Sequence, residues 1–393
     1  MILLSHGKRS AYVAIGLIVA AHGLNHTYST MVPILYPAIQ REFNLTYAQV
    51  GLLATGYSLA LGLPQFAVGI LRNKVRGKVL LGFGMFWQSF MNIMAGFAGS
   101  FSQLVGLRTL AGLGASPQHP VGSSMIADRS DKDRLGRMMG TNITGANLGT
   151  VIAPPLATLL LMTYGWRSTL MAFAVPGLLL GAIIPMLIYE KSPPNATTDN
   201  AVSRKSLNAF RNRQLLFVTL IETVVSLRFG VFGFIPTYFV DGRGMATAEA
   251  SNLYTILLVG SVIGPFLWGS LSDRLGKRET MTIIMAISTV LVLALPTVTN
   301  MMPLMAVLFL LGLTFQSVSP ITQSMVARLT DEQTRSLVYG VYFTISFGIG
   351  SIGPWIFGYI TDTWGFFLAF VYVAIVTIIA ALCAIRIPRE NQT

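Results

Sequence analysis

Apolar runs, each closed by a short polar or basic break, follow one another along the entire chain. A helix needs about 20 mostly apolar residues to cross a bilayer's hydrocarbon region. Twelve runs qualify: 11–39, 47–71, 79–97, 102–127, 138–163, 168–189, 214–240, 249–271, 280–298, 302–327, 336–361 and 365–386. Several are long enough to tilt or to project past the bilayer. The pattern predicts an all-α membrane protein with twelve transmembrane spans. One break differs from the rest: "EKSPPNATTDNAVSRKSLNAFRNR", Glu190 to Arg213, is polar, basic and proline-bearing, and reads as a cytoplasmic linker.

The stretches on either side of that linker repeat each other. An offset of 200 residues pairs Gly112 with Gly312, Pro120 with Pro320, Ser124 with Ser324, Gly140 with Gly340, Pro154 with Pro354 and Gly165 with Gly365. Between 104 and 165 there are 15 identities in 62 positions, well above chance for this composition. Near span one the register slips to 203, aligning Val32–Tyr36 with Ile235–Phe239. Six spans map onto six spans, and an even number preserves orientation, so the halves are parallel repeats. The expected domains are an N-terminal six-helix bundle over 1–189, the linker over 190–213 and a C-terminal six-helix bundle over 214–393.

Composition agrees with the spans and fixes their direction. The 393 residues are 53% hydrophobic and 11% charged, with a mean hydropathy of +0.64, whereas soluble domains carry about 25% charged residues. A net charge of +12 would point to nucleic acid in a soluble protein. Here 22 of the 27 basic residues fall on one side when the amino terminus is cytoplasmic, and three (Arg41, Arg167, Arg243) on the other. That split follows the positive-inside rule, places both termini in the cytoplasm and removes the case for nucleic acid. Cys383 is the single cysteine, so no intrachain disulfide can form. The short basic amino terminus reads as the start of span one rather than a signal peptide, and the expected compartment is a plasma or bacterial inner membrane.

Three loops and spans carry a resemblance. "GSLSDRLGKR" (Gly269 to Arg278) between spans eight and nine is similar to the inner-loop motif G-x-x-x-D-R-x-G-R/K-R of the major facilitator superfamily. The equivalent loop, "GILRNKVRGK" (Gly69 to Lys78), has Asn73 in place of the acid and Arg76 in place of the glycine. The resemblance implies a conformational latch built from Gly269, Asp273, Arg274, Gly276 and Arg278, with Gly69 and Asn73 as its weakened counterpart. In such a latch the acid meets a helix amino terminus; the basic residues alone would also serve topology. Arg108-x-x-x-Gly112-x-Gly114 resembles the family's R-x-x-x-G-x-G motif, whose arginine is associated with proton transfer. Gly140-x8-Gly149-x3-Ala153-Pro154 is similar to the motif of exporters that run as antiporters, with Ala153 replacing a glycine. Small residues and proline also account for Gly149, Pro154, Gly353 and Pro354 as hinge and packing positions. In the first half, "AHGLNH", "YPAIQREFNLTYAQVGLLAT" and "QHPVGSSMIADR" resemble the fosmidomycin-resistance branch, except that His26 stands where its acid is expected. The implied fold is two six-helix bundles, with a solute site between them near the bilayer midplane.

Ionisable residues inside a membrane are costly and usually face a cavity or a partner. They concentrate in spans one, four, seven and ten, which line the central cavity in this family: His22, Asn25 and His26; Arg108 and His119; Glu222 and Arg228; and, as polar company, Gln316, Ser319 and Gln323. His22 and His26 are four apart and share a helical face. Glu222 and Arg228 are six apart, about 240° around a helix, so both can point into one cavity only if span seven is broken, for which Gly230 and Pro236 give scope. Either one of the pair lines the pathway and the other meets a neighbouring helix, or the helix breaks. The 203 register sets Arg228 opposite Asn25 and favours Arg228 as the cavity residue. Expected solute contacts are Arg228, His119, Asn25, Arg108, Gln316 and Ser319, and expected proton carriers are Glu222, His22, His26 and Arg108. Plainer roles are open to several: Arg108 snorkelling to the surface, His119 satisfying carbonyls freed by Pro117 and Pro120, Glu222 in a structural ion pair.

No enzyme constellation is present: four histidines and one cysteine lack metal-ligand spacing in the sequence, and there is no G-x-x-x-x-G-K-[ST] phosphate loop. No metal and no cofactor are expected, and a transporter of this kind draws on a gradient. The expected partners are the lipid bilayer, a small-molecule solute and protons, with the monomer as the working unit. Interior basic groups outnumber the single interior acid, which favours an anionic or phosphonate-like solute. The leading expectation is proton-coupled export; proton-coupled uptake of an organic anion and a non-transporting membrane sensor are the alternatives.

Overall fold

A computed structural model describes residues 8–72, 74–131, 134–190, 209–330 and 335–389. Among them there are helices and connections and no strand. The expected linker lies outside the described residues from 191 to 208, as does Asn73.

Span one is a single helix, Lys8–Phe43, and span two is Tyr47–Gly62 followed by Gln65–Leu71. Span three is Gly77–Gly96. Span four begins as Phe101–Ala115, widens into a π-helical turn over Gln118–Gly122 and resumes as Ser123–Ala127. The next helix, Leu135–Leu187, has 53 residues. Straight, it would measure about 80 Å, against a hydrocarbon core of about 30 Å. It is two spans, broken at Gly165, whose φ of 77° belongs to the left-handed region that favours glycine. In the second half, span seven is Arg213–Leu227 and Gly230–Thr237, span eight Thr247–Leu275 and span nine Lys277–Ala294. Span ten is Met301–Phe315 and Val318–Leu329. Span eleven is Arg335–Gly350 and the start of Gly353–Ile385, which breaks at Gly365 (φ 83°) to give span twelve. The two breaking glycines are the pair matched by the 200-residue repeat.

Two compact units emerge: one comprising 1–38 and 56–198, the other 39–55 and 199–393. The boundary is not the linear one, because the end of span one and the start of span two belong with the second unit. There the Asp362 carboxylate accepts hydrogen bonds from the Tyr47 and Ala48 amides at 2.8 Å each, capping the helix that begins at Tyr47. Arg41 pairs with Asp241 at 3.2 Å nearby.

Side-chain placement is that of a protein solvated by hydrocarbon. On span three Phe83, Phe86 and Phe90 are exposed while Gln88, Ser89 and Asn92 are fully buried. In water that arrangement would be unfavourable on both faces. In the second unit Leu215, Val218, Ile221 and Val225 form a stripe at helical spacing that packs with Met281, Ile284, Ile321 and Val326. Small residues let backbones touch: a Cβ on Gly149 would lie 1.9 Å from the Gly23 carbonyl oxygen, and one on Gly353 would lie 2.1 Å from that of Leu227.

Candidate functional site

In the first unit three histidines from two spans converge. His22 and His26 lie one turn apart on span one, with ring centroids 4.9 Å apart. His119 projects from the π-helical turn of span four, 5.2 Å from His22 and 6.2 Å from His26. Pro117 precedes this turn and Pro120 lies within it, on either side of His119, so the widened backbone that aims His119 follows from local sequence. His22 Nδ1 faces Asn142 Oδ1 at 3.1 Å, and His26 Nδ1 faces Thr150 Oγ1 at 3.1 Å. His22 is buried, His26 half-buried and His119 exposed.

A second group joins Asn25 to Arg108. The Asn25 amide donates to Gln88 Oε1 at 3.5 Å and to the Ala115 carbonyl at 3.4 Å. Gln88 donates to the Tyr57 hydroxyl at 2.9 Å. Arg108 is buried, donates to Asn92 Oδ1 at 2.6 Å and lies 4.7 Å over the Tyr57 ring. It therefore does not snorkel; its charge ends on an amide oxygen and an aromatic face.

The second unit repeats this geometry with a change of charge. Arg228 donates to the Phe315 carbonyl and approaches Ser288 Oγ at 3.5 Å. Under the two sequence registers Arg228 corresponds to Asn25, Ser288 to Gln88 and Phe315 to Ala115. The same three positions thus make the same bracket in both halves, an amide in one and a guanidinium in the other. Span seven breaks between Leu227 and Gly230, which settles the 240° problem: Arg228 sits at the break while Glu222 stays on the regular helix before it.

Span ten breaks opposite, between Phe315 and Val318, and its two ends meet the two charges. Arg228 lies at the carboxyl end of Met301–Phe315, and its guanidinium is 4.4 Å over the Phe315 ring. Glu222 accepts from Ser319 Oγ at 2.5 Å and from Thr322 Oγ1 at 2.8 Å, both in the opening turns of Val318–Leu329. Each charge sits where the half-helix end has the opposite partial charge. Both groups are fully buried, and among the described residues no ion pair joins Glu222 and Arg228, or either to another side chain. Thr322 also meets the Tyr342 hydroxyl at 2.9 Å. Gln316, in the gap itself, is exposed.

Sequence reasoning missed the supporting polar groups: Gln88, Asn92, Asn142 and Thr150 in the first unit, Ser288, Thr322 and Tyr342 in the second. Gln88 and Asn92 carried a signal, since they are four apart within an otherwise apolar span. The histidine convergence was signalled only by membership of spans one and four, since no local spacing joins His119 to His22 and His26.

At the inner loops, Asp273 is largely exposed and pairs with Lys277 at 3.6 Å. Gly276 ends the span-eight helix with φ 91°. In the matching loop of the first unit the contacts run to an acid that follows span six. Glu190 meets Arg72 at 2.8 Å and caps the span-three helix through the Gly77 and Lys78 amides at 3.2 and 3.0 Å. Arg72 also reaches Asp128 at 3.1 Å.

Known proteins share this architecture. A bacterial homologue of the human lysosomal transporter Spinster, in an inward-facing and unoccupied conformation, superposes with a TM-score of 0.85 at 16% identity, covering 96% of this chain and 97% of that one. The fosmidomycin resistance protein of Escherichia coli K12 is 24% identical over 369 residues, 90% of this chain and 87% of its own. The D-galactonate transporter of Escherichia coli O6:H1 is 24% identical over 384 residues, 88% and 87% respectively. The family model described as Major Facilitator Superfamily matches residues 18–251 and 228–393. With twelve spans, a repeat between halves and that match along nearly its whole length, the chain is an integral membrane transporter, not an enzyme, and belongs to the Major Facilitator Superfamily.

Proposed function

We propose that the protein exports a small organic anion across a bacterial inner membrane in exchange for protons, by alternating access of a monomer with both termini in the cytoplasm. One observation carries the choice of charge. Each unit buries an arginine, Arg108 or Arg228, that among the described residues has no carboxylate at ion-pair distance. A buried cation left uncompensated favours an anion brought to it. In this scheme Arg228, Arg108, His119, Asn25, Gln316 and Ser319 contact the solute. D-galactonate, named for one relative, is an anion of the size intended.

Glu222 takes the proton in the second unit, with His22, His26 and Arg108 serving the first. As an anion Glu222 accepts from both Ser319 and Thr322; once protonated it must donate through one oxygen, and one of those bonds reverses. Thr322 can accept because Tyr342 and the Ser319 carbonyl lie within 2.9 Å of its hydroxyl. Protonation is thereby felt at the start of Val318–Leu329, on the far side of the break from Arg228. Gly149 and Pro154, with Gly353 and Pro354, form the packed crossings about which spans tilt. Gly269, Asp273, Arg274, Gly276 and Arg278 form the inner-loop latch, with Gly69 and Asn73 as its weakened sequence counterpart.

Outward movement is supported by the span-five motif and by the relative named for fosmidomycin resistance; the second scheme is uptake of an organic anion by proton symport. Proteoliposomes preloaded with labelled D-galactonate or fosmidomycin and given an inward proton gradient separate the two. Accelerated loss of internal solute is expected. Accumulation from outside would establish symport, and no flux with any organic anion would remove the proposed solute class.

A further inference from the structure

We infer that His22, His26 and His119 form a binding site for one divalent transition-metal ion of the zinc type, within the first unit. The candidate nitrogen atoms of the three rings all lie within 4.8 Å of one another. Two of the rings have their tautomer set by the surroundings. Asn142 Oδ1 can only accept, so the His22 nitrogen facing it carries the hydrogen. Thr150 spends its single hydroxyl hydrogen on the Ala146 carbonyl at 3.1 Å, so it too must accept from His26 Nδ1. In both rings Nε2 is left with an available lone pair, and His22 Nε2 is buried with no hydrogen-bond partner. An unpartnered buried nitrogen is costly, and a cation between the three rings would satisfy it.

Neutral imidazole held through Nδ1–H to an oxygen, with Nε2 aimed at the ion, is the arrangement by which second-shell groups prepare a metal ligand. Zinc–nitrogen bonds of about 2.0–2.1 Å in a tetrahedron set the nitrogens ~3.3 Å apart. The rings must therefore close by up to about 1.5 Å, and His119, exposed and without a hydrogen bond to the described residues, is the ring able to move. Three neutral ligands leave the ion its full positive charge and an open fourth position for water or an oxygen anion. The site does not depend on the direction of transport, and an ion bound to it would compete with protons for the lone pairs of His22 and His26.

The test is a Co²⁺ titration of the purified full-length protein, with any polyhistidine tag removed, followed by displacement with Zn²⁺. One saturable equivalent with visible d–d absorption is expected. Replacing all three histidines (H22Q, H26Q, H119Q) should abolish it, while Thr150→Val should weaken it by about 10–100-fold through the freed His26 ring. Histidine modification by diethyl pyrocarbonate, read by mass spectrometry on the unaltered chain, should be blocked at all three positions by Zn²⁺. Absence of a saturable equivalent in the unaltered protein, its persistence in the triple variant, or modification indifferent to Zn²⁺ would each overturn the site.

Discussion

Replacing Arg228 by methionine separates support of the fold from handling of the solute. The variant keeps the aliphatic bulk but removes the charge, the bonds to Phe315 and Ser288 and the contact with the Phe315 ring. A buried carbonyl left without its donor costs about 1–3 kcal/mol, and loss of the desolvated cation–π contact about another 2. Against this, the penalty of holding an ion away from water is several kcal/mol and disappears with the charge. The terms nearly cancel, so Arg228→Met should shift stability by no more than about 2 kcal/mol in either direction, a few degrees in Tm. Anion flux should fall to background. Fluorescence-detected thermal unfolding in detergent and solute counterflow in proteoliposomes measure the two quantities on one preparation. Wild-type flux in a stable variant would refute the part given to Arg228. Collapse of the fold would show that the guanidinium is chiefly a rivet across the two helix breaks.

Glu222→Gln keeps the size of the side chain and an acceptor for Ser319 or Thr322, so solute binding should survive while stimulation of flux by a pH gradient is lost; an unchanged pH-gradient response would place coupling elsewhere. Gly149→Val drives a side chain into the Gly23 carbonyl, 1.9 Å from where its Cβ must sit, and should cost about 1–3 kcal/mol or more. Gly140→Ala, which meets nothing within 4 Å, should be neutral in the same thermal assay; equal effects would dismiss the close crossing. Asp362→Ala removes the acceptor of two amide hydrogen bonds, each worth about 1.5–3 kcal/mol with a charged partner. Hydrogen exchange at Tyr47 and Ala48 should accelerate about tenfold or more, and unaltered protection would show that the cap is idle.

Span number, the repeat and the location of polar residues in spans one, four, seven and ten were legible because hydrophobic length and sequence register are properties of the linear chain. The spacing of Glu222 and Arg228 left two outcomes open, a broken span seven or one residue turned to a neighbouring helix, and it did not choose the break found at Arg228. Other features depend on backbone placed by distant residues. Nothing near Glu222 announces Ser319 and Thr322, and no local pattern joins His119 to His22. The assignment of 39–55 to the second unit was likewise invisible, since Asp362 lies more than 300 residues from the amides it caps. Composition also conceals the cap that Glu190 places on the span-three helix, because that acid follows span six and lies more than 100 residues from the amides it meets.

The twin brackets at Asn25 and Arg228 have a consequence for how such a protein can diversify. Their frame is common to both copies, whereas the charge belongs to one. Under the proposed function, a duplicated scaffold revises what it accepts by editing a single donor in one copy while its sister preserves the architecture. Exchanging the two residues would ask whether cargo preference follows the side chain or the copy that carries it.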